Sequence, residues 1–179
     1  ICRSKYYAEI TYKKFADELE ANMANGVYAL KGAENNRITW EGIAVWPHLS
    51  HTFKTVKGMN ICMTGSAYPK LWDFVYTPGD MDSMAEAYTK VYLNTCLNNR
   101  AKVLEEIVVN GQSDGVLYHL NRSCKIMAFL NSDVAEIIQK DTGLPYGNFD
   151  GDQTDPRNFS PAQFDTRVQA LNEIMSEKK

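Results

Sequence analysis

Hydrophobic residues recur along this chain with two different periods, and the two alternate. Short apolar runs, which are typical of buried strands, occur at residues 37–45, 60–64, 115–120 and 144–149. Apolar residues recur every three or four positions elsewhere, which predicts helices near residues 6–29, 46–56, 83–109 and 125–141, and a last one that Ser160 caps. The chain therefore alternates strand and helix after a first helical stretch.

This alternation predicts the fold class. Strands separated by helices pair in parallel, because a parallel connection needs a long crossover, and the helices then cover both faces of the sheet. We expect a small doubly wound α/β domain, flavodoxin-like or Rossmann-like, with a mostly four-stranded parallel sheet and an N-terminal helix. Residues 1–36 are interpreted as a helical linker segment and residues 37–179 as the α/β domain.

Two helical patterns carry more specific expectations. Tyr12, Phe15, Leu19 and Met23 form one apolar stripe on the first helix, which is expected to pack against a neighbouring domain or the core. The pattern at residues 83–109 is long for one helix, and Asn98-Asn99 predicts a break or bend within it.

Candidate functional residues follow the strands. Right-handed crossovers place every strand exit on one rim of the sheet, and ligands of such sheets bind there. No GxGxxG, Walker A or GxSxG turn occupies these exits, so no signature of a nucleotide cofactor or a hydrolase is present. The candidates at the rim are Trp40, Glu41, Trp46, Gly65, Ser66 and residues 119–124 and 150–155.

Several of these residues have two interpretations each. Asp150, Asp152 and Asp155 could hold Mg²⁺ or Ca²⁺, or could cap the following turn and orient Arg157. Glu41 could be a general acid or base, although a single Glu in a turn is usually solvated. His119 is interpreted as a satisfied polar residue near the sheet. The aromatic residues could line a pocket for an apolar acyl chain or pack between domains: Trp40, Trp46, Trp72 and Tyr76.

The most informative turn is Asn121-Arg122-Ser123-Cys124, between a strand and a helix. Backbone N–H groups at a helix N-terminus, with Arg122 and Lys125 alongside, favour a thiolate at Cys124, and a thiolate binds soft metal ions. The alternative is an inert cysteine packed under the helix. From their positions at the rim, we predict Trp46, Asn121 and Arg122 as substrate contacts. Cys124 is a candidate metal ligand, with the inert alternative still open, and no catalytic residue is identified.

Composition narrows the class of protein. The chain has 179 residues, 44% hydrophobic and 23% charged, and a net charge of −3, which argues against a dedicated nucleic-acid binder. No apolar run approaches the length of a membrane span. The four cysteines form no CxxC pair, and reduced thiols in a cytoplasmic protein are expected. Because Ile1 does not resemble a natural start, we expect a piece of a longer polypeptide.

Three stretches together resemble the family of 2-hydroxyacyl-CoA dehydratases and benzoyl-CoA reductases. They are RITWEGIAVWP from Arg37, the run from Ala87 through NRSCK at residues 121–125, and TGLPYGNFDGDQTDPRNFSPAQFDTRVQAL from Thr142. The last stretch is more similar to the C-terminal domain of the larger, alpha-type dehydratase subunit than to the reductases.

The resemblance implies a subunit that holds one [4Fe-4S] cluster through three cysteines. Only Cys124 matches a ligand position of the family, so the remaining ligands are expected outside this chain. It further implies a smaller homologous subunit, an ATP-dependent iron–sulfur activator protein that delivers one electron, and an acyl-CoA substrate. The implied reaction is radical elimination of water from an (R)-2-hydroxyacyl-CoA through a ketyl, which reverses the polarity of the thioester carbonyl. From their positions beside Cys124, and not from the resemblance, Arg122 and Lys125 are expected to tune the cluster and Asn121 to orient the turn.

Two alternatives remain at this point. The same family contains reductases that act on benzoyl-CoA or other acyl-CoA thioesters, so the chain could belong to a reductase subunit. It could also be a cluster-free interaction domain with the same fold. In any of these cases the isolated chain is expected to be inactive.

Overall fold

Strands and helices alternate along the chain as the two hydrophobic periods predict. The computed structural model describes residues 5–28, 30 and 32–179. The strands in these residues are β1 (Asn36–Glu41), β2 (Ile61–Ser66), β3 (Gly115–Asn121) and β4 (Tyr146–Gly151). The α-helices are α1 (Lys5–Ala24), α2 (Leu49–Gly58), α3 (Met81–Thr89), α4 (Leu97–Asn110), α5 (Lys125–Thr142) and α6 (Pro161–Glu177). Short 3-10 turns span Trp46–His48, Tyr68–Leu71 and Pro156–Asn158.

The four strands form one parallel sheet in the order β2-β1-β3-β4. Ile38 of β1 lies opposite Met63 of β2 on one side and Gly115 of β3 on the other, so β1 is a central strand. The chain leaves β1 towards one edge of the sheet and leaves β3 towards the other. The predicted doubly wound α/β class with a four-stranded parallel sheet is confirmed.

Each face of the sheet has its own core. Successive side chains of a strand point to opposite faces, and Leu117 and Tyr118 of β3 therefore belong to different clusters. Leu117 packs with side chains of α2 and α6, such as Val56 and Phe164, and Tyr118 packs with side chains of α4 and α5. Burying one such large apolar side chain contributes about 1.5–3 kcal/mol. Because the two cores hold the helices against the sheet, they also hold the loops at the strand exits in place.

The bounds of two helices follow local rules that the sequence shows. Ser160 caps α6, because its side-chain oxygen accepts a hydrogen bond from the Gln163 N–H. Gly143 ends α5 with φ of +72°, a left-handed conformation that glycine adopts without strain. Both ends lie where the sequence predicts them.

The long helical pattern at residues 83–109 is divided differently from the prediction. It forms two helices, α3 and α4, separated by residues 90–96. The break predicted near Asn98-Asn99 exists but lies slightly earlier in the chain, and both asparagines belong to the first turn of α4. Asparagine is tolerated there because the first N–H groups of a helix have no partner within the helix. The break allows Tyr92 to reach the interior, where it is 2% exposed.

The chain divides between residues 33 and 34 into two compact units. The unit of residues 34–179 contains the sheet, and α1 belongs to the other. The stripe of Tyr12, Phe15, Leu19 and Met23 is exposed, so nothing within its own unit covers it. Its expected packing partner and the interpretation of residues 1–36 as a linker stay predictions. Among the described residues, every helix is too short or too polar to cross a lipid bilayer.

Candidate functional site

The strand order creates a crevice at the carboxyl ends of β1 and β3. These neighbouring strands lead into connections that cover opposite faces of the sheet, so the two loops diverge as they leave it. Such a switch point is where ligands bind in open parallel sheets. We therefore expect a ligand site at the loops after β1 and β3.

A mostly apolar cavity of about 60 Å³ lies in this crevice. Gly42 forms part of its wall and has φ of +105°, and a Cβ at this position would lie 3.2 Å from the His119 carbonyl oxygen. Only glycine allows the chain to pass this closely over β3. The cavity is lined by Gly42, Ile43, Ala67, Tyr68, Leu71, Tyr92, Leu93, Asn121, Cys124, Met127 and Gln153.

Cys124 lies at this cavity as the residue that precedes α5. Its N–H donates to the Asn121 carbonyl oxygen at 3.0 Å, and its carbonyl oxygen accepts from the Ala128 N–H at 3.0 Å. The side chain is half-buried and makes no capping hydrogen bond. The backbone of Cys124 is thus held at a strand exit, as the sequence predicts, and its side chain packs partly against the core cluster on the α5 face while also lining the cavity.

Asn121 holds this turn against the exit of β4. Its Oδ1 accepts hydrogen bonds from Ser123 Oγ at 3.1 Å and from the Gln153 N–H at 3.3 Å, and its amide donates to Gln153 Oε1 at 3.2 Å. Asn121 is 1% exposed. These bonds are what an orienting residue requires, and they leave the amide little capacity to bind a substrate.

The other predicted substrate contacts lie outside the cavity wall. Arg122 is exposed and pairs with Asp150 across a distance of 3.1 Å. Trp46 is 49% exposed and packs edge-to-face on Tyr68, with 6.2 Å between ring centroids. Lys125 is exposed at the first position of α5. Their roles stay predictions.

The aromatic residues that could line an acyl pocket are not brought together. Trp40 lies in the core with Phe149, at a centroid distance of 5.3 Å, because it belongs to β1 and not to its exit loop. Trp72 is 66% exposed, and Tyr76 stacks near Phe74. A second cavity, of about 110 Å³, lies between β1, β2 and α2, and Trp40 is the one member of this set in its wall.

The acidic loop after β4 serves its own backbone. Asp152 accepts hydrogen bonds from the N–H groups of Thr154 at 2.8 Å and Asp155 at 3.0 Å, and these bonds lower the pKa of Asp152 to about 2. Asp155 accepts from the backbone and guanidinium of Arg157. The interpretation that these aspartates cap the following turn or orient Arg157 is confirmed for Asp152 and Asp155, whereas Asp150 pairs with Arg122. The alternative cation site gains no support.

The described cysteines do not gather into a metal site. Cys62 lies on β2, Cys96 is exposed at the start of α4, and Cys2 lies outside the described residues. No group of three potential ligands from His, Cys, Asp and Glu occurs in the part of the chain that the structure describes. The donor set therefore fits one thiolate ligand, Cys124, at an apolar cavity, and any further ligands have to come from elsewhere.

Beneath the cavity lies an ion pair that the sequence did not reveal. Glu41 and Arg100 are both 0% exposed, and Arg100 Nη2 donates to Glu41 Oε1 at 2.8 Å. The prediction of a solvated Glu41 is wrong, because α4 carries Arg100 over the end of β1. Burial raises the pKa of Glu41, and the charge of Arg100 opposes this shift. Arg100 shares a four-residue spacing with Leu104 and Val108, which marks it as an inward position.

His119 supports the loop after β1. Its Nδ1 lies 2.6 Å from the Ile43 carbonyl oxygen and therefore donates, and its ring stacks on Phe149 at 5.0 Å. Burial lowers the pKa of His119. The prediction of a satisfied polar residue holds for Nδ1 only, because Nε2 is buried with no hydrogen-bond partner among the described residues.

Stability below neutral pH is expected to depend on His119. Because the folded state lowers its pKa, the unfolded chain takes up the proton first when the pH falls below about 6.5. The free energy of unfolding should therefore fall between pH 7.5 and pH 5.5 more steeply in the wild type than in a His119→Gln variant, as measured by urea titration of the 179-residue chain. Equal slopes in the two proteins would contradict this account.

Comparison with known proteins agrees with the resemblance in the three sequence stretches. The family model described as 2-hydroxyglutaryl-CoA dehydratase, D-component, matches residues 2–175. The chain is 65% identical over 176 residues to the lactoyl-CoA dehydratase subunit alpha of Anaerotignum propionicum, covering 97% of this chain and 42% of that protein. It is 42% identical over 177 residues to the (R)-2-hydroxyisocaproyl-CoA dehydratase alpha subunit of Clostridioides difficile, covering 99% of this chain and 43% of that protein.

A more distant match links the chain to the reductases. It is 27% identical over 152 residues to a benzoyl-CoA reductase subunit of Thauera aromatica, covering 82% of this chain and 35% of that protein. The chain thus spans about two-fifths of the length of the dehydratase relatives and about a third of the reductase protein.

Proposed function

Because the chain belongs to the family of 2-hydroxyglutaryl-CoA dehydratase D-components, we propose that it is part of the alpha subunit of a 2-hydroxyacyl-CoA dehydratase. The reaction converts an (R)-2-hydroxyacyl-CoA into an enoyl-CoA and water. The observation that carries this proposal is the position of Cys124, before the first turn of α5 and in the wall of an apolar cavity on the rim of a parallel sheet.

Cys124 would supply one thiolate ligand of a [4Fe-4S] cluster, and the remaining ligands would come from outside this chain. When bound, such a cluster supplies one-electron chemistry and an iron site that acts as a Lewis acid. The proposal includes radical elimination through a ketyl. It also includes two partners that this reaction requires, a smaller homologous subunit and an ATP-dependent iron–sulfur activator in the cytoplasm.

The residues of this chain would orient the reacting groups. Asn121 fixes the Cys124 turn through its bonds to Ser123 and Gln153, so the thiolate has one position relative to the cavity. Arg122 and Lys125 are exposed on either side of the Cys124 turn. Although Asp150 partly neutralises Arg122, their positive charges would raise the potential of a bound cluster and attract an anionic CoA thioester. Trp46, next to Tyr68 of the cavity wall, would flank the entry of the substrate.

Similarity to a known dehydratase favours a short acyl group. The relative that is 65% identical to this chain is named for lactoyl-CoA, a three-carbon thioester. The lower identity of 27% to the benzoyl-CoA reductase subunit disfavours the alternative of a reductase for an aromatic acyl-CoA.

The proposal is tested with the complete gene product, its partner subunit and the reduced activator. We expect conversion of (R)-lactoyl-CoA into acryloyl-CoA and its reversal, with kcat/KM more than about 100-fold above that for (R)-phenyllactyl-CoA. Reduction of benzoyl-CoA by the same preparation, without dehydration of any 2-hydroxyacyl-CoA, would instead support the reductase. Binding of a partner protein with neither activity nor iron would support an interaction domain.

A further inference from the structure

Arg100 lies on α4, and its guanidinium group bonds residues of β1 and α5 next to the cavity. Its Nη2 bonds Glu41 Oε1 at 2.8 Å and Asn131 Oδ1 at 2.9 Å, and its Nη1 lies 3.4 Å from the Ile126 carbonyl oxygen. Glu41 is the last residue of β1, and Ile126 and Asn131 lie in the first two turns of α5. One guanidinium group therefore ties the exit of β1 to the beginning of the helix that Cys124 precedes.

The connection continues to the strand that carries the Cys124 turn. Asn131 Nδ2 donates to the His119 carbonyl oxygen of β3 at 3.2 Å. Arg100 also lies with its Cζ 5.1 Å from the centroid of the Tyr92 ring, and Tyr92 forms part of the cavity wall beside Cys124. Both the position of α5 along β3 and one wall of the cavity thus depend on Arg100.

Stability alone gives little reason to keep this pair. Burying two charges costs several kcal/mol per ion, and apolar side chains of similar volume are often as stable or more so. The pair is also incompletely satisfied, because Glu41 Oε2, Arg100 Nε and the Tyr92 hydroxyl are buried without a hydrogen-bond partner among the described residues. A buried charge network that costs stability and leaves polar atoms unpaired, directly beneath a candidate ligand site, indicates that the network is kept for the function of that site.

We propose that Arg100, held by Glu41, is a positioning residue that fixes the beginning of α5 and thereby the orientation of Cys124 towards its metal. The inference rests on the proposed function. Arg100 does not touch the metal or the substrate. Its bonds to Ile126 and Asn131 determine where the first turns of α5 lie.

The test removes the pair without leaving an isolated charge. In the complete subunit, the double variant Glu41→Leu/Arg100→Met should still fold, with a modestly lower melting temperature because the buried Asn131 Oδ1 loses its donor. We expect it to lose cluster iron to a chelator about 10- to 100-fold faster and to show an altered electron paramagnetic resonance signal after reduction. Asn36→Ala is the control and should keep the wild-type chelation rate. It also removes a buried polar group, but one that bonds Asn172 at the opposite end of the sheet.

The outcomes separate this inference from the proposed function. An unchanged chelation rate and signal in the double variant would overturn the positioning role while leaving the dehydratase proposal intact. A wild-type subunit without any cluster would overturn both. If the double variant does not fold, Arg100→Lys gives the same test, because one ammonium group keeps the charge but does not reproduce the forked bonds to Glu41, Ile126 and Asn131. A wild-type chelation rate in that variant would also overturn the inference.

Discussion

A Cys124→Ser variant of the complete gene product is expected to lose its iron–sulfur absorbance and its dehydration activity together. A serine hydroxyl is a hard, weakly acidic oxygen and a poor substitute for a thiolate on iron. Loss of a residue that only supports a ligand costs about 10- to 100-fold, so loss of the ligand itself should reduce activity by more than about 100-fold. Absorbance and iron content per subunit, measured beside the rate of acryloyl-CoA formation, check both effects.

The chain offers a matched control for this variant. Cys96 precedes α4 as Cys124 precedes α5, and neither thiol caps its helix. Serine is a good residue at such positions, so both substitutions should leave folding unchanged or slightly stabilised. We expect Cys96→Ser to keep wild-type iron and activity. Full iron content in Cys124→Ser, or equal losses in both variants, would refute the role of Cys124.

The sequence was sufficient for those parts of the site that depend on neighbouring residues. The run from Gly115 to Lys125 shows a strand, a polar turn and a helix start within one stretch, so the location of Cys124 needed no information about distant residues. The alternation of strands and helices was likewise enough to predict a parallel sheet. It was not enough to predict the strand order β2-β1-β3-β4, because that order depends on which face of the sheet each helix covers.

The buried ion pair of Glu41 and Arg100 could not be predicted from the sequence. Arg100 is 59 residues away from Glu41 in the chain, and no local pattern links the two. A glutamate after a strand is usually solvated, whereas this one is buried beneath Arg100 of α4. The break before α4 was predicted a few residues later in the chain than it occurs.

Trp40 illustrates a second limit of local patterns. In a sheet covered on both faces, all strand positions can be buried, and alternation no longer tells which side chain points where. Four of the last five residues of β1 are buried, including Trp40 and Glu41. The sequence could thus place Trp40 near the rim but could not show that its ring points into the core with Phe149.

Phe149 is expected to give the largest loss of stability among single core substitutions at this end of the sheet. It is 2% exposed and packs against the His119 ring at 5.0 Å, the Trp40 ring at 5.3 Å and the Phe164 ring at 4.8 Å. Phe149→Ala should lower the free energy of unfolding by about 3–5 kcal/mol, because it removes a buried ring and leaves a cavity among aromatic neighbours. Urea titration of the 179-residue chain at pH 7.5 measures the loss.

Phe129→Ala is the matched control for this substitution. Phe129 lies on α5 and is 76% exposed, so the same change of side chain should alter the free energy of unfolding by no more than about 0.5 kcal/mol. The difference between the two variants isolates burial from the change in residue type. If Phe149→Ala cost no more than Phe129→Ala, the aromatic cluster under the β3 and β4 exits would not hold the site. The rigid placement of the Cys124 turn would then need another source.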